Sequence, residues 1–174
     1  AWIESPVSES SRAALHAVLK VLEAEGHIIE EATPAIGIEA FIMATTVVAC
    51  ANLARDIDGF AERLGRKPDK TTLQTTTLAC YQYGKTISAT SLLDALAVFN
   101  GINRCVGKFF GSYDLLVTPN NLYPAPLIEE YYRCDPAGPL TAEGWQAQVF
   151  ENDSYLATFN TTGSPAISLP VFET

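Results

Sequence analysis

The chain has 174 residues, a formal net charge of −9 and a pI of about 4.6. Hydrophobic residues make up 48% of it and charged residues only 18%, which predicts a folded chain with a core and excludes a disordered one. Because an acidic chain lacks the basic surface that nucleic acid and anionic membranes bind, we expect neither partner.

The cysteine and histidine content predicts neither a metal site nor a cofactor. Four cysteines and two histidines are present, and no two cysteines have the spacing of a zinc motif. Cysteines among apolar neighbours behave as small hydrophobic residues, which fits a reducing cytoplasm best, although an even number of cysteines does not exclude disulfides. The chain opens AWIE, without the basic start of a signal peptide, so we expect a cytoplasmic location.

The first predicted elements alternate between strand and helix. Trp2 and Ile3 resemble the end of a strand. Ser8 is a suitable N-cap for a helix that ends at Gly26, a suitable C′ residue. Residues 27–31 then predict a strand. This order is typical of an α/β protein.

An apolar helix is predicted from Ile38 to about Ala54, buried on most sides. The uncharged run at residues 40–54 is too short to span a bilayer. Arg55 and Asp58 either form an ion pair at the end of this helix or face solvent separately.

The next predicted elements are a connection and a short helix. The polar residues 56–70 include Gly59 and predict a surface connection. Residues 71–82 predict a helix, and Gly84 is expected to end it.

The middle of the chain predicts a long helix, a buried strand and a loop. Ser88 can cap a helix that runs to about Phe110. The apolar residues 115–118 predict a fully buried strand, and the proline-rich residues 119–138 predict a long loop of the kind that often contacts ligands. Thr141 can cap a last helix.

Residues 159–170, FNTTGSPAISLP, combine a polar turn with an apolar run. Asn160, Gly163 and Pro165 are turn-forming residues, and glycine accommodates a positive φ angle. Residues 166–169 predict a short buried strand.

This last segment resembles the fN-x-tG-x-PAiSlP segment of the amidase signature hydrolases. Three more blocks resemble the same family in the same order. They are residues 12–34 (RAALHAVLKVLEAEGHIIEEATP), residues 50–59 (CANLARDIDG) and residues 109–126 (FFGSYDLLVTPNNLYPAP). The resemblance therefore covers nearly the whole chain.

The resemblance implies an α/β fold with a mixed β-sheet flanked by helices on both faces. It also implies hydrolysis of a linear or cyclic carboxylic amide, in which a Lys and a bridging Ser of a Ser–cis-Ser–Lys triad deprotonate the nucleophilic Ser. No stretch here matches that triad, because the single Ser-Ser pair, Ser10-Ser11, begins a helix. We therefore expect residues 1–174 to be one partial domain, the C-terminal portion of an amidase that is truncated at both ends.

The resemblance places two candidate substrate-binding residues in this chain and no catalytic residue. Cys50 precedes the NLAR stretch on a helix that lines the substrate cleft in the family; the alternative role is a buried small hydrophobic residue. Asn160 could hydrogen-bond the loop that carries the nucleophile; the alternative is a turn residue. The expected partners are the amide substrate and the remainder of the amidase chain, and this chain alone is expected to be inactive.

Two other functions are compatible with the residues alone. One is a non-catalytic α/β module that binds a partner. The other is a cysteine hydrolase that pairs Cys50 or Cys134 with His16 or His27, for which no motif is present.

Overall fold

The computed structural model describes residues 6–125, 127, 141–152 and 155–171, and these residues form six helices. The helices are α1 (Glu9–Ala24), α2 (Ile38–Leu64), α3 (Thr75–Thr86), α4 (Ala89–Phe109), α5 (Ala142–Asn152) and α6 (Ala157–Thr162).

The chain divides into two compact units. The first unit comprises Ala1–Ile38, Ile102–Pro126 and Phe150–Thr174. The second unit comprises Glu39–Gly101 and Leu127–Val149. The expectation of one partial domain stays a prediction.

The core of the second unit is built around α2. The buried residues of this helix recur at helical spacing and are Phe41, Ala44, Thr46, Cys50, Ala54 and Ile57. Phe41 contacts Phe99 of α4, with ring centroids 6.1 Å apart. Helix α2 therefore contributes one buried stripe to the core. The predicted burial on most sides is wrong, because Met43 is 51% exposed and only 28% of the most apolar 18-residue window is buried.

Helix α2 is longer than its sequence suggests. It continues to Leu64, so the prediction of a surface connection from residue 56 is wrong for the first nine positions, and Gly59 lies inside the helix. By length and composition this helix alone, among the described residues, could cross a membrane, although a core helix of a soluble protein meets the same criterion. The expected absence of a membrane partner stays a prediction.

Capping residues set the start of three helices, as predicted. The Oγ of Ser8 accepts a hydrogen bond from Ser11 N at 3.2 Å, and the Oγ of Ser88 accepts one from Ser91 N at 3.0 Å. Thr141 Oγ1 accepts one from Gly144 N at 3.1 Å. These contacts satisfy N–H groups that have no partner within the helix.

The core of the first unit joins the end of α4 to α6 and an irregular segment. Its buried residues include Ile102, Val106, Leu122, Phe150, Tyr155 and Thr158. Leu122 is fully buried and its carbonyl accepts a hydrogen bond from Ser8 N at 2.9 Å. The described part of the proline-rich loop is therefore anchored to the start of α1.

The predicted mixed β-sheet flanked by helices is wrong for this structure, because no described residue lies in a strand. Residues 27–31, 115–118 and 166–169 have no regular secondary structure, and Trp2 and Ile3 lie outside the described residues. The expected burial is also wrong at two positions, because Leu115 is 74% exposed and Ile167 is 81% exposed. Ile28, in the predicted strand at residues 27–31, is 96% exposed. An apolar run forms a strand only when a neighbouring strand pairs with its backbone, and no such ladder forms among the described residues.

Candidate functional site

Cys50 lies on the wall of a cavity in the second unit. The cavity has a volume of about 390 Å³, and its lining comes from α2, from α3 with the residue before it, and from α5: Ala49, Cys50, Leu53, Gln74, Thr76, Thr77, Cys80, Trp145 and Gln146. Its walls combine apolar groups with a few amides and hydroxyls, which is the usual character of a small-molecule site.

The Cys50 side chain is packed against a second thiol. Cys50 is 1% exposed and Cys80 4%, and they form a buried cluster with Ala142. Trp145 and Tyr83 pack against this cluster. Because its surroundings are apolar, Cys50 has the packing expected of a small buried hydrophobic residue, which is its alternative role.

The pKa values of the two thiols are shifted in opposite directions. Cys50 and Cys80 interact through a side-chain hydrogen bond, and this bond lowers the pKa of Cys80 despite burial and the nearby Glu143 carboxylate. The same bond, together with burial and the charge of Cys80, raises the pKa of Cys50 far above its usual range. Cys50 therefore presents a neutral thiol to the cavity.

These contacts argue against a cysteine nucleophile at Cys50. A nucleophilic cysteine needs a lowered pKa or an adjacent base, and the pKa of Cys50 is raised. His16 and His27 are exposed, and neither lines the cavity beside Cys50. Cys134 lies outside the described residues.

Helices α2 and α3 are joined at the surface by an ion pair that sequence reasoning missed. Tyr81 Oη donates to Asp58 Oδ1 at 2.8 Å, and Lys85 Nζ donates to Asp58 Oδ2. Arg55 instead pairs with Asp56 at 2.7 Å, so the possible Arg55–Asp58 pair does not form. The hydrogen bond from Lys85, followed by that from Tyr81, lowers the pKa of Asp58.

The backbones of α2 and α3 approach each other closely beside the cavity. A Cβ atom built on Gly84 would lie 2.1 Å from the Cys50 carbonyl oxygen and 2.8 Å from Ala54 Cβ. Gly84 was expected to end α3, but this helix continues to Thr86. The glycine permits close packing of two helices instead.

Asn160 lies in the first unit, exposed near the end of α6. Its predicted turn is wrong in detail, because Asn160 is helical and the turn begins at Gly163. Gly163 has a φ of +64° and its N–H bonds the Phe159 carbonyl, so the predicted positive φ is confirmed. The role of Asn160 and Cys50 in one substrate site stays a prediction.

Several residues of the cavity could not be identified from sequence. Cys80, Trp145 and Gln146 reach Cys50 only through tertiary packing. The one available sequence indication is the pair of cysteines in neighbouring apolar helices, and it does not specify contact. In the described parts of the chain, no three His, Cys, Asp or Glu side chains form a group that could hold a metal ion.

Comparisons with known proteins identify similar sequences and folds. The Amidase family model matches residues 2–174. Among solved structures, 6-aminohexanoate cyclic dimer hydrolase is similar, with a TM-score of 0.76 and 17% identity. At this identity the likeness shows a shared fold. The match covers 90% of this chain and 33% of that hydrolase, so the chain spans a third of its length. No curated protein matches the sequence significantly.

Proposed function

Because the chain belongs to the amidase family, we propose that it is the C-terminal portion of an enzyme that hydrolyses a carboxylic amide C–N bond. The family match over residues 2–174 is the observation that carries this proposal. The substrate is a linear or a cyclic amide; the similar hydrolase is named for a cyclic dimer of an amino acid.

The catalytic residues of the proposed enzyme lie outside this chain. No sequence stretch here fits a Ser–cis-Ser–Lys triad, and the similar hydrolase is three times longer than the part matched. In the complete enzyme the Lys and the bridging Ser would take the proton of the nucleophilic Ser, and backbone N–H groups would hold the oxyanion.

Exposed apolar side chains support the proposal that the remainder of the amidase chain packs against the first unit. Ile28, Leu115 and Ile167 are each more than two-thirds exposed in the first unit, and Leu169 and Val171 are also exposed. Among the described residues nothing covers these side chains. Burial of an aliphatic side chain stabilises by about 1.5–3 kcal/mol, so a further segment that covers them would be held firmly.

The proposed contribution of this chain is contact with the substrate. The neutral thiol of Cys50 and the indole of Trp145 offer an apolar wall, which suits the methylene carbons of an acyl chain. Gln146 in the same wall offers an amide that can bond a polar group. Asn160 is proposed to support the loop that carries the nucleophile.

The test compares the complete protein with the 174-residue chain. Both are assayed against short and long linear amides and against cyclic amides. A mock purification from host cells that lack the protein measures hydrolysis by contaminating host amidases. The complete protein should hydrolyse at least one class, and the chain alone should hydrolyse none. Turnover by the chain alone would contradict the proposed location of the catalytic residues.

The exposed apolar residues also favour a second candidate, a non-catalytic module that binds a partner protein. Apolar side chains that are exposed in one chain can be covered by a partner protein in the complex. The same assay separates the two, because a binding module would leave the complete protein without any amide hydrolysis.

A further inference from the structure

Two free thiols of the second unit lie in contact, on different helices. Cys50 belongs to α2 and Cys80 to α3, and both are buried in the same small cluster. The two thiols are also hydrogen-bonded to each other. Neither a catalytic role nor a metal explains this pairing, since a third ligand-type side chain is lacking among the described residues.

The two cysteines lie beside a close crossing of α2 and α3. Gly84 lies one helical turn after Cys80 on α3, and its Cα lies directly against the Cys50 carbonyl. The Cα atoms of a disulfide must be about 4.4–6.8 Å apart. Such distances between two helices occur only at a close crossing of this kind.

A small oxidant can reach the thiols. Both cysteines line the cavity of about 390 Å³. Since one water occupies about 30 Å³ of the liquid, this volume admits a molecule as small as a hydroperoxide. The two thiols therefore border a space that a hydroperoxide can occupy.

The hydrogen bond between the thiols assigns different roles to them. The hydrogen bond with Cys50 lowers the pKa of Cys80, so Cys80 is the thiol that loses its proton first. The same hydrogen bond, followed by burial and the charge of Cys80, raises the pKa of Cys50, which keeps its proton until its partner has reacted. A low-pKa thiol beside a second thiol is the usual arrangement of a redox pair.

We propose that Cys50 and Cys80 form a reversible redox pair, which a hydroperoxide oxidises to a disulfide between α2 and α3. The Cys80 thiolate attacks the O–O bond of hydrogen peroxide and becomes a sulfenic acid; the hydroxide released takes up the proton that Cys80 had lost, giving water. The Cys50 sulfur then attacks the Cys80 sulfur and a second water leaves. Two thiols and one peroxide thus give one disulfide and two waters.

The disulfide has two consequences for the second unit. It closes the loop between residues 50 and 80, which raises the melting temperature of the oxidised protein. It also converts the thiol wall of the cavity into a rigid cross-link. A dithiol reductant reverses both changes by thiol–disulfide exchange.

The test uses the native protein treated with hydrogen peroxide, then alkylated and digested for mass spectrometry. A peptide pair linked through Cys50 and Cys80 should appear, while Cys105 of α4 stays alkylated as a free thiol. Dithiothreitol should remove the link. The Cys105→Ser variant should still form it, and the Cys80→Ser variant should leave Cys50 reduced.

Three results would overturn the proposal. They are sulfinic acid at Cys80 without a link, oxidation of Cys105 while Cys50 and Cys80 stay reduced, and a link from either cysteine to a different one. If Cys80→Ser does not fold, the Cys105→Ser protein and the wild type still decide the question. Because the readout is a covalent link and not hydrolysis, its failure leaves the proposed amidase function untouched.

Discussion

Gly84 of α3 lies so close to the carbonyl of Cys50 in α2 that a Cβ atom there would be 2.1 Å from the oxygen. This close contact sets the separation of the two helices that carry the cavity and its thiol pair. The close contact also explains why a glycine is present inside this helix, although glycine lowers helix stability by about 1 kcal/mol relative to alanine.

Replacement of Gly84 should separate these helices. Gly84→Ala should lower the free energy of unfolding by about 3 kcal/mol, because backbone atoms cannot move aside as a side chain does. Gly59→Ala is the matched control. Gly59 is also inside a helix, and a Cβ there meets nothing within 4 Å, so this variant should be neutral or more stable. Denaturant unfolding measures both, and equal effects would contradict the close contact.

The Asp58 ion pair should make stability depend on acid pH. Lys85 and Tyr81 lower the pKa of Asp58 in the folded protein, so its stabilising effect is complete above the unfolded pKa of about 3.9. The effect should disappear as the pH falls through the lower folded pKa. Melting temperatures of wild type and Asp58→Asn should differ at pH 7 and converge toward pH 2. A difference that is constant with pH would exclude this charge effect.

Thr158 should tolerate loss of its hydroxyl. Its Oγ1 is buried and has no hydrogen-bond partner among the described residues. Thr158→Val keeps the shape and removes an unsatisfied polar group, so it should raise the unfolding free energy by about 1 kcal/mol. In the control Thr46→Val, the lost hydroxyl donates to the Ile42 carbonyl at 2.8 Å, so stability should fall by about 1 kcal/mol. A loss at Thr158 would show that a segment outside the described residues bonds this hydroxyl.

Cys50 should influence substrate choice in the complete enzyme. Cys50→Leu narrows the cavity, so its KM relative to wild type should rise more for long acyl amides than for short ones. The free energy of unfolding should fall by about 1–3 kcal/mol, because the larger side chain overpacks the site. Cys105→Leu, a half-buried position on α4, is the control and should leave KM unchanged. Kinetics of Cys50→Leu that match wild type for every chain length would assign Cys50 to the core alone.

Variants of Asn160 and Gly163 should affect different quantities, kcat at Asn160 and stability at Gly163. Asn160 is exposed on α6, so Asn160→Ala should lower kcat of the complete enzyme while the melting temperature changes little. Gly163→Ala should instead cost about 1 kcal/mol of stability, because its φ of +64° disfavours a Cβ. Wild-type kcat in Asn160→Ala would reduce Asn160 to a surface residue.

Local chemistry in the sequence determined the helix ends. A hydroxyl at Ser8, Ser88 or Thr141 can satisfy backbone N–H groups within its own three residues, and Gly163 can adopt a positive φ without help from distant residues. Such interactions are visible in any short stretch of sequence. The sequence also carried the family resemblance, which the match over residues 2–174 confirms.

Tertiary structure alone decided whether the apolar runs form strands, what role Gly84 has and which cysteines meet. The apolar residues 115–118 and 166–169 form no strand, because a strand needs a paired neighbour that an apolar pattern cannot supply. Gly84 was expected to break a helix, yet packing against Cys50 makes it a contact point inside one. Cys50 meets Cys80 only because two helices cross, and the position of a helix crossing depends on the whole core rather than on either helix.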